Sequence, residues 1–166
     1  MKIQASIGVF ACVGARELLL VQRRDNGLWN LLGGGVEDSD ATGLRTPQEI
    51  VAREVEEEAG FIVYFKEDRP LGFYATASYS DVAITYSCGV RRGVLRLSDE
   101  VQQFGWFSPR GILSLAEKNQ LVGGLKTKDG RVARHVQMCL HFFTRQTEPY
   151  FLREAVDICQ SLKIPI

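Results

Sequence analysis

Residues 53–61 read Arg-Glu-Val-Glu-Glu-Glu-Ala-Gly-Phe, four carboxylates within five positions, and no other segment constrains the chain as tightly. Like charges three and four apart on a helix repel by roughly 0.2–0.5 kcal/mol per pair. A chain that balances 20 acidic against 20 basic residues has little reason to gather its acids here unless something positive meets them. The flanks nonetheless call for a helix. Thr46 is a suitable N-cap, Pro47 occupies the first helical position, and Glu49 completes a capping-box pattern. Gly60 supplies a left-handed stop. At roughly 100° per residue, Glu54, Glu57 and Glu58 share one face and Glu56 points elsewhere. Val51, Val55 and Ala59 form a narrow apolar stripe beside the acids. One side of the helix therefore docks on a core while its neighbour presents three carboxylates. A divalent metal carrying a phosphorylated substrate is the natural counter-charge, because Mg²⁺ takes oxygen ligands and is often shared between a few carboxylates and phosphates. The plain alternative is a solvated acidic face partnered by Arg and Lys.

Upstream of the helix lies Trp29-Asn30-Leu31-Leu32-Gly33-Gly34-Gly35-Val36-Glu37. A glycine-rich turn, a capped helix with acids on one face and a glycine stop together resemble the Nudix box, G-x5-E-x7-R-E-U-x-E-E-x-G-U, where U is a bulky apolar residue. Arg53, Glu54, Val55, Glu57, Glu58, Gly60 and Phe61 meet every specified position of its second half. The first half departs from the pattern. Counted from Gly34, the expected glutamate falls on Asp40, and Gly34 and Arg53 stand 19 positions apart where the pattern has 14. The loop thus carries about five extra residues around 40–45, and Asp40 either does the work of the missing glutamate or leaves that role vacant. Weaker likeness extends to Leu19–Arg24 before the box and to Glu100–Pro109 after it.

The resemblance implies an α/β fold of Nudix type: an α/β/α sandwich with a mixed twisted sheet and the box as loop-helix-loop. It implies a metal-dependent hydrolase that uses Mg²⁺ or Mn²⁺ to cleave the pyrophosphate of a nucleoside diphosphate linked to another group. Glu54, Glu57 and Glu58 are then the metal ligands, with a carbonyl of Gly33 or Gly34 as a neutral donor. Glu57 or Glu58 orients or deprotonates water, and Arg53 pairs with Glu57. A further acid comes from a later loop in several members; Glu100 is the best-placed candidate here and Asp99 the second. Arg23, Arg24 and Trp29 are candidates for substrate binding, although strand alternation turns only one of the two arginines toward the site and Trp29 can equally be core. Of the residues that mark subgroups downstream, a proline linked with ADP-ribose hydrolases is replaced by Thr76. A tyrosine linked with diadenosine polyphosphate hydrolases has a match in Tyr79, 18 positions past Phe61. Nucleoside triphosphates, dinucleoside polyphosphates and nucleotide sugars stay open as substrates. A Nudix-fold nucleotide-binding or regulatory module of weak turnover is the alternative, and the altered first half of the box is its support.

The remaining residues bound this picture. Length suits one domain spanning 1–166. Zero net charge gives no global field for nucleic acid or an anionic membrane, so phosphate affinity must be local or metal-mediated. RNA-end processing lacks a basic patch with interleaved aromatics. Cys12, Cys88, Cys139 and Cys159 are widely spaced and read as reduced, mostly buried thiols. With no membrane-length apolar run and no signal-peptide pattern, the expectation is a cytoplasmic protein, as a monomer or homodimer, acting on a small nucleotide. His135 and His141 are read as structural. Strands are expected at 3–13 and 18–23, paired as a hairpin, then at 61–66, 71–79, 82–92 and 104–107. Helices are expected from Pro109 to about Asn119, across 131–146 and across 149–162.

Overall fold

The computed structural model describes residues 6–75, 81–145 and 150–166. Thr76 and Tyr79, and the ends of two expected strands, lie outside these. Strands are β1 (Ser6–Val13), β2 (Leu18–Arg23), β3 (Trp29–Asn30), β4 (Leu32–Gly35), β5 (Phe61–Phe65), β6 (Gly72–Ala75), β7 (Asp81–Gly93) and β8 (Val101–Phe107). Helices are α1 (Asp38–Thr42), α2 (Pro47–Ala59), α3 (Pro109–Glu117), α4 (Arg134–Thr144) and α5 (Leu152–Leu162).

Two sheets form the middle layer. One is mixed, in the order β4-β1-β7-β5, with β6 also paired to β7; β1 and β7 run parallel and the other pairs antiparallel. The second is antiparallel, in the order β3-β2-β8. The apolar runs of β1 and β2 follow from burial on both faces. Successive strand residues point to opposite sides, so Val9, Ala11 and Val13 of β1 and Leu19 and Val21 of β2 pack under α2. Phe10, Cys12, Leu18 and Leu20 pack on the opposite side with α3, α4 and α5. The result is an α/β/α sandwich with two cores.

One expectation from sequence fails here. β1 and β2 do not pair as a hairpin. Both edges of β1 are taken by β4 and β7, both edges of β2 by β3 and β8, and the turn between them keeps only a bridge between Gly14 and Leu18. The glycine-rich stretch, read as a turn, is two short strands, and the lengthened loop contains α1. Each is too short to show a period in the sequence.

Helix α2 forms as its caps dictate. The Thr46 hydroxyl accepts from the Glu49 amide at 3.2 Å, the Glu49 carboxylate accepts from the Thr46 amide at 2.7 Å, and Gly60 closes the helix at φ 75°. Ile50, Val51, Val55 and Ala59 are buried. Burying one such aliphatic side chain contributes about 1.5–3 kcal/mol, which outweighs the few tenths lost to each like-charged pair on the neighbouring face. Packing, with the caps, is what lets this helix tolerate its acids. All four cysteines are buried and unbridged, and no described helix is long and apolar enough to cross a membrane.

Replacing Thr46 by Ala removes one half of the capping box and is expected to lower stability by about 1 kcal/mol. Urea denaturation of the two proteins reads this as a reduced midpoint at unchanged slope; an unaltered midpoint would show that the cap does not hold α2.

Candidate active site

The acidic face of α2 looks onto β4 across a cavity of about 430 Å³, which the loop of Ser98, Asp99 and Glu100 closes from the other side. Glu54, Glu57 and Glu58 all line it, together with Gly33, Gly34 and Arg53. Glu56 does not; it faces a separate depression beside Arg92 and Arg96. The division of the run that helical geometry implied is therefore the one the fold adopts.

Glu58 is the most enclosed of the three, at 7% exposure. Its Oε2 accepts a hydrogen bond from the Gly33 amide at 2.9 Å. Burial pushes its pKa up to about 8; the Gly33 amide and Arg23 pull it down, and Glu54 and Glu100 push it further up. Glu54 is also raised, first by burial and then by Glu57 and Glu37 against the opposing pull of Arg53. Both carboxylates have given up water without gaining enough positive charge to replace it.

Two glycines make this contact possible. Gly33 adopts φ 136°, and a side chain on it would run into the carbonyl oxygen of Val9 on β1. A Cβ on Gly34 would lie 3.1 Å from Oε2 of Glu54. Glycine at 33 thus lets β4 pair closely with β1, and glycine at 34 leaves room for the Glu54 carboxylate.

Arg53 is the hub of the acidic face. It donates to Glu57 at 2.9 Å, to Glu54 at 2.8 Å and to Asp40 at 3.2 Å. Burial disfavours its charge, but Glu54, Glu57 and Asp40 together raise its pKa. Asp40 is itself 1% exposed and accepts from the Glu37 amide at 3.1 Å and from Arg45 at 3.1 Å. The Glu37 amide, followed by Arg45 and Arg53, holds it below the usual carboxylate range. The lengthened loop thus folds α1 so that Asp40 still reaches Arg53, and the extra residues, ending in Leu44 at φ 54° and Arg45, bulge outward.

Other expected site residues divide. Arg23 lines the cavity, 3.1 Å from Asp25 and 3.8 Å from Glu100. Arg24 does not: its guanidinium donates to the carbonyls of Asp99 and Val101 at 3.0 and 3.2 Å, fastening the Glu100 loop from behind. Trp29 is not at the site either. Its ring meets Phe107 edge-on at 4.9 Å against the α3–α5 core, and its backbone bonds to Gln120 and Val122. A strand places alternate side chains on opposite faces, which sends this ring to the core. Glu37 and Ser98 line the cavity without having been singled out; the Ser98 hydroxyl is buried and has no hydrogen-bond partner among the described residues. Spacing alone carries no signal for either.

Among the described residues, no three His, Cys, Asp or Glu side chains are grouped to hold a metal ion, and Glu54 and Glu57 are turned onto Arg53. The donor set still fits a hard divalent cation in kind: carboxylates and backbone carbonyls alone, two of the acids desolvated and short of positive charge.

A family model described as the NUDIX domain matches residues 2–124, well over half of the chain. The chain belongs to the NUDIX domain family. A MutT-like protein of Streptomyces ambofaciens is 38% identical over 92 residues, which cover 55% of this chain and 55% of that protein. The chain therefore spans about half the length of that relative. Among solved structures, an ADP-ribose pyrophosphatase of Streptococcus suis superposes with a TM-score of 0.61 at 20% identity, covering 86% of this chain and 94% of the other. A NUDIX hydrolase from Nitrosomonas europaea superposes with a TM-score of 0.63 at 18% identity, covering 86% and 72%. At these identities the superpositions speak for the fold. The NUDIX match embraces β4, α2 and the Glu100 loop, so the whole acid-lined cavity lies inside it.

The raised pKa of Glu58 fixes a pH dependence for the metal-free protein. Between the unfolded carboxylate value near 4.5 and the folded value of about 8, the folded chain holds a proton that the unfolded chain has lost. The contribution of Glu58 to stability therefore declines as pH rises through that window and levels off above it; below pH 6.5 it is opposed by His135, whose lowered pKa makes its own contribution rise with pH. Denaturation between about pH 6.5 and 9 in EDTA is expected to show a decline in the parent and a smaller one in Glu58→Gln. Equal pH dependence in the two proteins would contradict the assignment.

Proposed function

We propose that the chain is a divalent-metal-dependent pyrophosphohydrolase acting on a nucleoside diphosphate linked to another moiety. The observation that carries this reading is the pairing of Glu54 and Glu58, two desolvated carboxylates that line one cavity together with the glycine backbone of β4. Glu54, Glu57 and Glu58 would hold Mg²⁺ or Mn²⁺, with a carbonyl of Gly34 and the Glu100 carboxylate as further donors. Such an ion neutralises charge on pyrophosphate oxygens, orients them, and makes a bound water more acidic.

The protein's own groups divide the remaining work by mobility. Glu58 is fixed by Gly33 and buried, which suits a ligand held in one place. Glu57 has a side chain 58% exposed and is tied only through Arg53. An exposed i,i+4 pair of this kind contributes about 0.3–0.5 kcal/mol, so Glu57 is free to turn to a water at the cavity mouth and accept its proton. Arg53 positions Glu54 and Glu57, and Asp40 positions Arg53. Arg23 offers a cation to a phosphate oxygen opposite the acids. Phosphoryl chemistry asks mainly for such positioning and charge stabilisation.

Support for the second reading, a nucleotide-binding module without turnover, came from the departures in the first half of the box. The contact between Asp40 and Arg53 weakens it, because the altered loop retains a carboxylate on the same arginine. Nucleotide sugars stay among the substrates to screen, with ADP-ribose included because one protein of similar fold is an ADP-ribose pyrophosphatase.

A panel of nucleoside triphosphates, dinucleoside polyphosphates and nucleotide sugars, assayed for phosphate or mononucleotide release, tests the reading. Release is expected with Mg²⁺ or Mn²⁺ and not with EDTA. Glu57→Gln is expected to reduce kcat by about 10²–10⁴-fold without lowering the melting temperature. No release from any substrate, despite measurable nucleotide binding, would favour the non-catalytic module. Turnover by Glu57→Gln at the parental rate would reject the role of Glu57.

A further inference from the structure

A second and larger cavity, about 530 Å³, opens on the opposite face of the sheet. Volumes of this size accommodate small organic ligands. Among the described residues it shares no lining residue with the acid-lined cavity. The partition is visible at one pair of residues. Gly33 of β4 bonds to Glu58 on the α2 side, while Phe10, its partner across the β1–β4 pair, packs its ring against His135 of α4 on the other side. Most of the lining comes from residues after 124, beyond the NUDIX match.

Three features of this cavity converge on one ligand chemistry. First, the start of α4 forms part of its wall and carries no side-chain cap, since Ala133 stands at the N-cap. The backbone amides of Arg134, His135 and Val136 have no hydrogen-bond partner among the described residues. Amides at a helix start carry partial positive charge and bind anions. Second, His135 is 6% exposed and lines the cavity, yet its imidazole has no hydrogen-bond partner among the described residues and only the edge contact with Phe10, at 5.9 Å between ring centres. Burial and the neighbouring Arg134 lower its pKa to about 4, so near neutral pH it offers one ring N–H and one ring nitrogen acceptor. Its ring therefore keeps its hydrogen-bonding capacity for whatever occupies the cavity. Third, the charged lining is biased to cations: Lys128, Arg131 and Arg134 against Asp129. Arg131 is paired with Asp129, and Arg134 reaches Asp81 at 2.6 Å, whereas Lys128 stands exposed at the rim. The rest of the wall is mostly apolar, from Ala75, Val122, Val132 and Ala133 with Gly123, and Thr127 and Gln137 add two neutral polar side chains.

We propose that this cavity is a second binding site, for a small organic oxyanion whose carboxylate or phosphate head is taken by the uncapped start of α4 and His135 while its apolar body lies against Val122 and Val132. The site goes beyond the hydrolase reading and does not depend on it. Lys128 draws the anion to the rim, and the free amides of the first turn of α4 supply the positive end of the helix.

The test uses the full chain, ¹⁵N-labelled, in metal-free buffer with EDTA, titrated with phenyl phosphate as probe and with benzyl alcohol as its neutral counterpart. Phenyl phosphate is expected to give saturable shifts at the amides of Arg134, His135 and Val136 and at the His135 ring, and benzyl alcohol none. Ala133→Asp supplies a carboxylate to cap the same amides; it is expected to weaken the probe at least tenfold while leaving the melting temperature at or above the parental value. Lys128→Glu, on an exposed turn, is expected to weaken it several-fold, which keeps the proposal open to refutation even if Ala133→Asp fails to fold. Absence of saturable shifts, shifts confined to Gly33–Gly35 and α2, or equal binding by the parent and both variants would overturn it. Co-titration with ATP separates two sources of such a head: displacement assigns it to a nucleotide's own phosphates, and simultaneous binding to a separate molecule.

Discussion

The hydrogen bond from the Gly33 amide to the Glu58 carboxylate, 2.9 Å long and buried, is the contact on which the rest of the site depends. It joins the edge strand β4 to the acidic helix α2 and holds the two together. That closeness goes with glycine at 33, where a side chain would meet the Val9 carbonyl of β1, and at 34, where a Cβ would crowd the Glu54 carboxylate. It also strips water from Glu58, which one amide bond does not repay in full; hence the raised pKa. On the proposed reading, this desolvation is what a divalent cation would offset.

Around this contact Arg53 performs a second task. Three carboxylates on one helical face would repel, and each would choose its own rotamer. A single guanidinium with a fixed fork of donors can hold two of them and also reach Asp40. In this arrangement the arginine supplies the positive charge that the acids lack. A metal entering the cavity would compete for Glu54 and Glu57, so the account links metal affinity to the hold of Asp40 and Arg45 on Arg53.

Much of this was legible in the sequence, for definite reasons. The boundaries of α2 were readable because Thr46, Pro47, Glu49 and Gly60 are local signals whose effect does not depend on the rest of the fold. The sorting of Glu56 from its neighbours followed from helical period alone. The placing of only one of Arg23 and Arg24 at the site followed from strand period in the same way. The failures concern contacts distant in sequence. Nothing near Val13 says that both edges of β1 will be occupied, so adjacency suggested a hairpin that does not form. Trp29 goes to the core because Phe107, 78 positions away, is there to receive it. The support of Arg53 by Asp40 rests on α1, five residues with no readable period. The cavity beside His135 is built from a turn, a strand end and a helix start that share no sequence pattern.

The central claim is that the acidic face of α2 is a platform for a divalent cation. Calorimetric titration of Mn²⁺ into the full chain, beside Glu58→Gln and the outward-facing Glu56→Gln, tests it without requiring a substrate. The account predicts saturable binding that Glu58→Gln abolishes or weakens by at least tenfold and Glu56→Gln leaves unchanged. Equal loss in both variants, or undiminished binding in Glu58→Gln, would mean that the cation is held by diffuse acidity rather than by this site, and the account would be wrong.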